Sequence, residues 1–122
     1  PIASSAASDV YKRQPVLVPG DMGRASWVLA GPKNGENDAF SSSCHGAGRK
    51  LSRTAARNTI DPEALVKELE DMGIIVRAKT RSLLSEEAPE AYKNVDDVVR
   101  LTESAGLARP VARLRPLGVI KG

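Results

Sequence analysis

A mixed α+β fold is what this sequence predicts, and three observations predict it. Short apolar runs bounded by Gly and Pro lie toward both ends of the chain, at Val16–Val18, Ser26–Ala30, Pro110–Leu114 and Leu117–Ile120. Between them, two stretches carry apolar residues at helical spacing, each opened by a capping residue and closed by a glycine. Of the 122 residues, 41% are apolar but only 3% aromatic, which allows at most one domain with an aliphatic core.

Residues 1–14 show no clear amphipathic period, and Ser4 to Gln14 looks like the in-frame translation of a transposase sequencing adapter. This non-native, adapter-derived segment is set aside from fold reasoning. A truncated reading frame is the expectation that follows, with Pro15 opening the tail of a longer protein. Asp9, Lys12 and Arg13 leave a charge of +2 for residues 15–122 out of the formal +3.

The strands Val16–Val18 and Ser26–Ala30 are joined by the turn-forming Pro19-Gly20-Asp21-Met22-Gly23, and a polar loop runs from Pro32 to Asp38. If Gly48 opens a helix, Arg49, Arg53 and Arg57 recur four apart and stack on one face. Asp61-Pro62-Glu63 is a strong helix start, an N-cap followed by Pro at the first helical position. Leu65, Val66, Leu69 and Met72 then form an apolar stripe that Gly73 ends. Ile74-Ile75-Val76 reads as a buried strand, which suggests an α/β layer. Ser85 to Tyr92 is irregular, because Pro89 interrupts any helix begun at Ser85. Asn94 caps a helix carrying Val95, Val98, Val99 and Thr102, closed by Gly106, and the two extended segments that follow are broken by Pro116 and Gly118.

Charge is placed unevenly. Eleven of the fifteen acids fall between Asp61 and Glu103, whereas Ser41 to Thr59 and Leu107 to Gly122 have none. If both basic segments line one cleft, they make a polyanion site despite the modest net charge. Scarce aromatics exclude base stacking as a dominant mode. No apolar run approaches the roughly 20 residues of a membrane span and no signal peptide opens the chain, so a cytoplasmic protein is expected.

The sole histidine, His45, sits in Ser41-Ser42-Ser43-Cys44-His45-Gly46-Ala47-Gly48-Arg49. Neutral imidazole is a nucleophile near pH 7, and small neighbours let a phosphorylated ligand approach it. Gly46 and Gly48 allow backbone conformations that turn N–H groups toward an anion, and Arg49, Lys50, Arg53 and Arg57 follow with no acid between them. By residue type alone, a lone histidine in a Gly/Ser-rich loop is more often a structural or surface residue than a catalyst. Cys44 reads as a small buried filler, and an arginine stripe is as often a solvated face as a binding surface. A noncovalent RNA- or nucleotide-phosphate-binding module and a structural domain with an incidental histidine stay open at this point.

Four segments then carry a resemblance: VLVPGDMGRASWVLAG (16–31), AFSSSCHGAGRKLSR (39–53), EEAPEAYKNVDDVV (86–99) and GLARPVARLRPLGVIKG (106–122). In order and spacing they resemble the C-terminal part of the RtcB family of RNA-splicing ligases. The resemblance implies that residues 15–122 are an incomplete C-terminal portion of a larger layered catalytic domain, whose missing part would cover strand edges and apolar faces. It implies an enzyme: a GTP- and manganese-dependent RNA ligase, acting in tRNA splicing or RNA repair, that joins a 3′-phosphate or 2′,3′-cyclic phosphate end to a 5′-hydroxyl end through a histidine–GMP intermediate.

Carried over residue by residue, the nucleophile is His45. Gly46, Ala47 and Gly48 surround the guanylate, Ser26 donates its hydroxyl to the nucleotide, and Pro19, Gly20, Asp21 and Met22 form another wall. Asp21 departs from the serine of several relatives, which leaves a hydroxyl contact there in doubt. Tyr92 and Lys121 match the remaining GTP contacts; read from the residues alone, Tyr92 is equally a core aromatic with a tethered hydroxyl. Arg49 and Arg53 are candidates for RNA phosphates, with Arg57, Arg113 and Arg115 weaker ones. The family's manganese ligands are a Cys, an Asp and several His upstream of this segment. With His45 and Cys44 the sole residues of their types, the resemblance implies no metal site in this chain and no activity for it alone. The implied partners are RNA, as tRNA halves or broken RNA, with GTP and an archease-type activating protein.

Overall fold

The computed structural model describes residues 15–32, 39–40 and 42–122. Residues 1–14 and nearly all of the polar loop from Pro32 to Asp38 lie outside them. In chain order the elements are β1 (Pro15–Val18), β2 (Ser26–Ala30), α1 (Arg53–Thr59), α2 (Pro62–Asp71), β3 (Ile75–Ala78), α3 (Arg81–Glu86), α4 (Val95–Ser104), β4 (Arg109–Leu114) and β5 (Gly118–Lys121), with one 3₁₀ turn at Pro89–Ala91. Helices and strands are both present and the fold is α+β, as expected from the apolar patterning.

Two layers organise the chain. β1, β2 and β4 form an antiparallel sheet in that order, with Val18 opposite Trp27 and Ser26 opposite Leu114. Pro110 lacks a backbone donor, and it is accommodated on an edge strand where the β2–β4 register shifts between Val28 and Leu29. α4 covers this sheet: Val95 and Val99 pack with Val18, Ala25, Leu29, Ala47 and Ala108 in a first core. The second layer is a parallel pair, β3 with β5, in which Val76 lies opposite Val119 and Ala78 opposite Lys121. Leu65 and Leu69 of α2, Leu84 of α3, Ile74, Val76 and Ala88 pack there with Met22 in a second core.

The caps form as the sequence predicts. Asp61 Oδ1 accepts from the Glu63 N–H at 3.2 Å, Asn94 Oδ1 accepts from the Asp96 N–H at 3.0 Å, and Gly73 and Gly106 end their helices at φ of 80° and 71°. Met72 departs from the predicted stripe, because it caps α2 at its C-terminus and is exposed. Ile74–Val76 is not buried throughout: strand alternation buries Ile74 and Val76 and turns Ile75 outward. Gly118 does not break the last extended segment but opens β5. α3 forms over Arg81–Glu86, where no helix is predicted, and reaches only the first two residues of the irregular Ser85–Tyr92 stretch before Pro89 initiates a 3₁₀ turn.

The largest departure follows His45. The helix begins at Arg53, capped by Ser52, whose Oγ accepts from the Ala55 N–H at 3.0 Å; it does not begin at Gly48. Gly48 has a φ of 79°, the left-handed region, and residues 48–51 instead pair with 91–93. The Lys93 N–H donates to the Gly48 carbonyl at 2.9 Å, and the Lys50 and Leu51 N–H groups donate to the Ala91 carbonyl at 2.9 and 3.2 Å. Arg49 therefore lies on an extended bridge opposite Tyr92 and does not share a helix face with Arg53 and Arg57. No helix among the described residues is long and apolar enough to cross a membrane.

Candidate functional site

The turn between β1 and β2 ties the two layers together, since Val18 and Ala25 belong to the first core and Met22 to the second. Asp21 builds this turn itself. Its Oδ1 accepts from the Gly23 and Arg24 N–H groups at 2.9 and 2.8 Å, and its Oδ2 lies 3.6 Å from Arg24 Nη1. The Asp21 side chain is fully covered, so this carboxylate serves to shape the loop. Gly20 is required by packing: a Cβ there would stand 2.0 Å from the Ala25 carbonyl oxygen and 2.9 Å from Val95 Cγ1. Its N–H donates to Ser26 Oγ at 3.2 Å.

Beside this turn lies a cavity of about 330 Å³. Gly20, Asp21, Met22 and Ser26 line one side, Tyr92 and Glu87 another, and the chain end closes it with Pro116, Gly118 and Lys121. Six of the residues carried over from the resemblance thus converge, from positions as far apart as 20 and 121. Pro19, His45, Gly46, Ala47 and Gly48 are not among the lining residues. They adjoin the same turn: the Ala47 N–H donates to the Pro19 carbonyl at 3.0 Å, and a Cβ on Gly46 would come within 3.5 Å of that oxygen. His45 itself is exposed. Its loop is anchored on both sides, by Ala47 in the first core and by half-buried Cys44, whose Sγ is 3.5 Å from Thr102 Oγ1 on α4.

Glu86 and Glu87 are the residues that sequence reasoning missed. Three arginines with no acid near them in sequence meet these two in space. The Arg49 guanidinium donates to the Leu51 carbonyl at 3.1 Å, to the Glu86 carbonyl and to the Tyr92 hydroxyl at 3.1 Å, and stacks 4.8 Å from the centre of the Tyr92 ring. Arg53 donates to Glu87, and Arg57 Nε lies 3.5 Å from Glu86 Oε1. The Tyr92 hydroxyl donates to Glu87. Burial pushes the Glu87 carboxyl up, but hydrogen bonds from Tyr92 and Arg53, with the nearby charges of Lys121 and Arg53, outweigh it and hold Glu87 below the usual glutamate range. Burial and the Glu87 carboxylate together raise the Tyr92 phenol, which keeps it protonated. Among the described residues no group of three or more His, Cys, Asp or Glu side chains is placed to hold a metal ion. Manganese therefore has no fitting ligand set there.

Comparison with known proteins places this α+β segment in a family. The chain belongs to the RtcB family: a family model described as tRNA-splicing ligase RtcB matches residues 3–122. Relatives named tRNA-splicing ligase RtcB match over 109 residues, 89% of this chain, with 50% identity in Methanopyrus kandleri, 53% in Pyrococcus abyssi and 54% in Thermococcus kodakarensis. The chain spans 11%, 12% and 23% of those three proteins respectively.

Proposed function

We propose that the protein to which this chain belongs is a GTP- and manganese-dependent RNA ligase that joins RNA 3′-phosphate or 2′,3′-cyclic phosphate ends to 5′-hydroxyl ends, through a histidine–GMP intermediate on His45. The observation that supports this reading is the convergence of Ser26, Tyr92 and Lys121 on one cavity, beside the turn that holds the His45 loop. Each residue contributes a definite chemistry. Ser26 Oγ accepts from the Gly20 N–H and so keeps its own proton for a nucleotide oxygen. Lys121 supplies an ammonium for an anionic or carbonyl oxygen. The glycine turn leaves His45 open to an incoming phosphate.

In this proposal a ring nitrogen of neutral His45 attacks the α-phosphorus of GTP. The N–P bond forms as the bond to the pyrophosphate oxygen breaks. His45 then yields GMP to the RNA 3′-phosphate, a 2′,3′-cyclic end having first been opened by water at the 2′ oxygen, and the 5′-hydroxyl displaces GMP to close the phosphodiester. Imidazole suits both halves, being a nucleophile when neutral and a good leaving group when protonated. Arg53 donates to Glu87 but is more than half exposed, which makes it the better candidate for an RNA phosphate, whereas the Arg49 guanidinium is held by Leu51, Glu86 and Tyr92. Manganese dependence rests on the family resemblance, since the described residues make no manganese site. tRNA halves or broken RNA as substrates, an archease-type activator and a cytoplasmic location belong to the same proposal.

Labelled GTP and manganese, given to the full-length protein carrying this segment, are expected to produce an acid-labile adduct that His45→Ala abolishes. An adduct unchanged in His45→Ala overturns the assignment, and salt-sensitive RNA binding without any adduct would favour a noncovalent binding module. The 122-residue chain alone is the control, expected to join no RNA.

A further inference from the structure

The hydroxyl of Tyr92 is held between two partners whose chemistry fixes the direction of each hydrogen bond. Arg49 has donors only, so its Nη1 at 3.1 Å gives a hydrogen to the phenol oxygen. Glu87, ionised at neutral pH, has acceptors only, so the phenol proton goes to its carboxylate. The one proton of Tyr92 is thereby spent and one lone pair is taken, and what the hydroxyl still offers is an acceptor. Ser26 and Lys121, across the same cavity, offer donors.

We infer that Glu87 is a positioning residue that sets the hydrogen-bond polarity of this cavity: by taking the Tyr92 proton it obliges a bound nucleotide to turn an N–H or O–H toward Tyr92 and its acceptors toward Ser26 and Lys121. The inference rests on the reading of the cavity as the GTP site. Without the Glu87 carboxylate the phenol proton is free to turn, Tyr92 can donate as readily as accept, and discrimination against a nucleotide lacking the matching donor is lost. A polar group left unpaired in such a site costs on the order of tenfold in binding.

The test compares nucleotide transfer to His45 in the full-length protein carrying this segment. GTP is set beside inosine triphosphate, which lacks the exocyclic amine, 1-methyl-GTP, which lacks the N1 proton, and 2′-deoxy- and 3′-deoxy-GTP, which each lack one ribose hydroxyl. One analogue is expected to lose about tenfold in kcat/KM, a deficit that vanishes in Tyr92→Phe, shrinks in Glu87→Gln, and in the double variant is the same as in Tyr92→Phe alone. A merely structural Glu87 would slow all five nucleotides equally and leave their ratios untouched. If the adduct forms but every ratio is the same in wild type, Tyr92→Phe and Glu87→Gln, the inference is overturned and the GTP reading stands; if GTP gives no adduct at all, the GTP reading itself fails. Should Glu87→Gln not fold, Glu87→Asp keeps the charge and withdraws the carboxylate by one methylene. The same shrinkage is expected there, and unchanged ratios overturn the inference.

Discussion

Two carboxylates in this molecule each gather an arginine and an aromatic donor, Glu87 with Arg53 and Tyr92, Asp96 with Arg113 and Trp27, and they differ in what the aromatic residue has left to give. Around Asp96 the aromatic residue has nothing left to give. Arg113 Nε and Nη2 reach its two oxygens at 3.0 Å each, and Trp27 Nε1 donates to Oδ1 at 2.8 Å; an indole has one donor and no acceptor. The result ties α4 to β2 and β4 and fixes the helix on its sheet. Around Glu87 the aromatic residue is a phenol, which gives its proton and still has an acceptor to present to a cavity. The same charge arrangement thus uses up the aromatic residue in one place and leaves a cavity-facing acceptor in the other.

The largest effect that would test this contrast comes from Asp96→Ala, which strips Arg113 and the Trp27 indole of their partner. A loss of about 1–2 kcal/mol is expected, read from thermal unfolding of the full-length protein. On the proposed function, the KM for GTP should stay where it was, because Asp96 does not line the cavity between Ser26, Tyr92 and Lys121. A shift in the nucleotide ratios as large as that expected of Glu87→Gln would erase the distinction between joint and site.

Acid titration compares the two carboxyls more gently. The Arg113 hydrogen bonds, aided by Trp27 and the charges of Arg113 and Arg100, lower the Asp96 carboxyl against its burial. Glu87 is lowered too, although there burial, which pushes upward, is the largest single influence and is outweighed only by the hydrogen bonds and charges together. A carboxyl whose folded value lies below its unfolded one, about 3.9 for Asp and 4.3 for Glu, stabilises the fold fully above that range. The contribution fades as pH drops through the lowered value. Asp96→Asn should therefore flatten the acid limb of a stability-against-pH curve below about pH 4 and change nothing in its slope near neutrality. An acid limb as steep as the wild type's would show that Asp96 is not held low.

What the sequence made legible was local. Asp61, Asn94, Gly73 and Gly106 mark helix ends because a cap needs only its own neighbours, and the strands show as short apolar runs. Ser26, Tyr92 and Lys121 were found through the family resemblance, and the cavity brings them together. What stayed hidden was long-range pairing. Arg49 and Arg53 stand in an acid-free stretch of sequence, yet Glu86 and Glu87 meet them across more than thirty residues. Residues 48–51 follow an extended path because residues 91–93 supply their hydrogen-bond partners, which no local propensity records. α3 escaped notice for a related reason: six residues with no side-chain N-cap bond, packed into the second core through Leu84, owe their helix to that packing.

The smallest effect belongs to Arg57, the outermost of the three arginines that meet these acids. Its Nε is 3.5 Å from Glu86 Oε1 and its Nη2 is 3.4 Å from Thr54 Oγ1, with nearly half of the side chain in solvent. Neither contact reaches Tyr92 or the cavity, and an exposed pair of this kind is worth on the order of 0.5 kcal/mol or less, screened by salt. Arg57→Ala should leave thermal unfolding within that margin and the nucleotide ratios as in the wild type. A destabilisation several times larger, or one that altered the Tyr92-dependent ratio, would mean that Glu86, Glu87 and the three arginines act as one coupled network. The polarity of the cavity would then be set by the whole cluster, and the contrast with the closed joint at Asp96 would rest on the number of charges gathered instead of on the phenol that Glu87 holds.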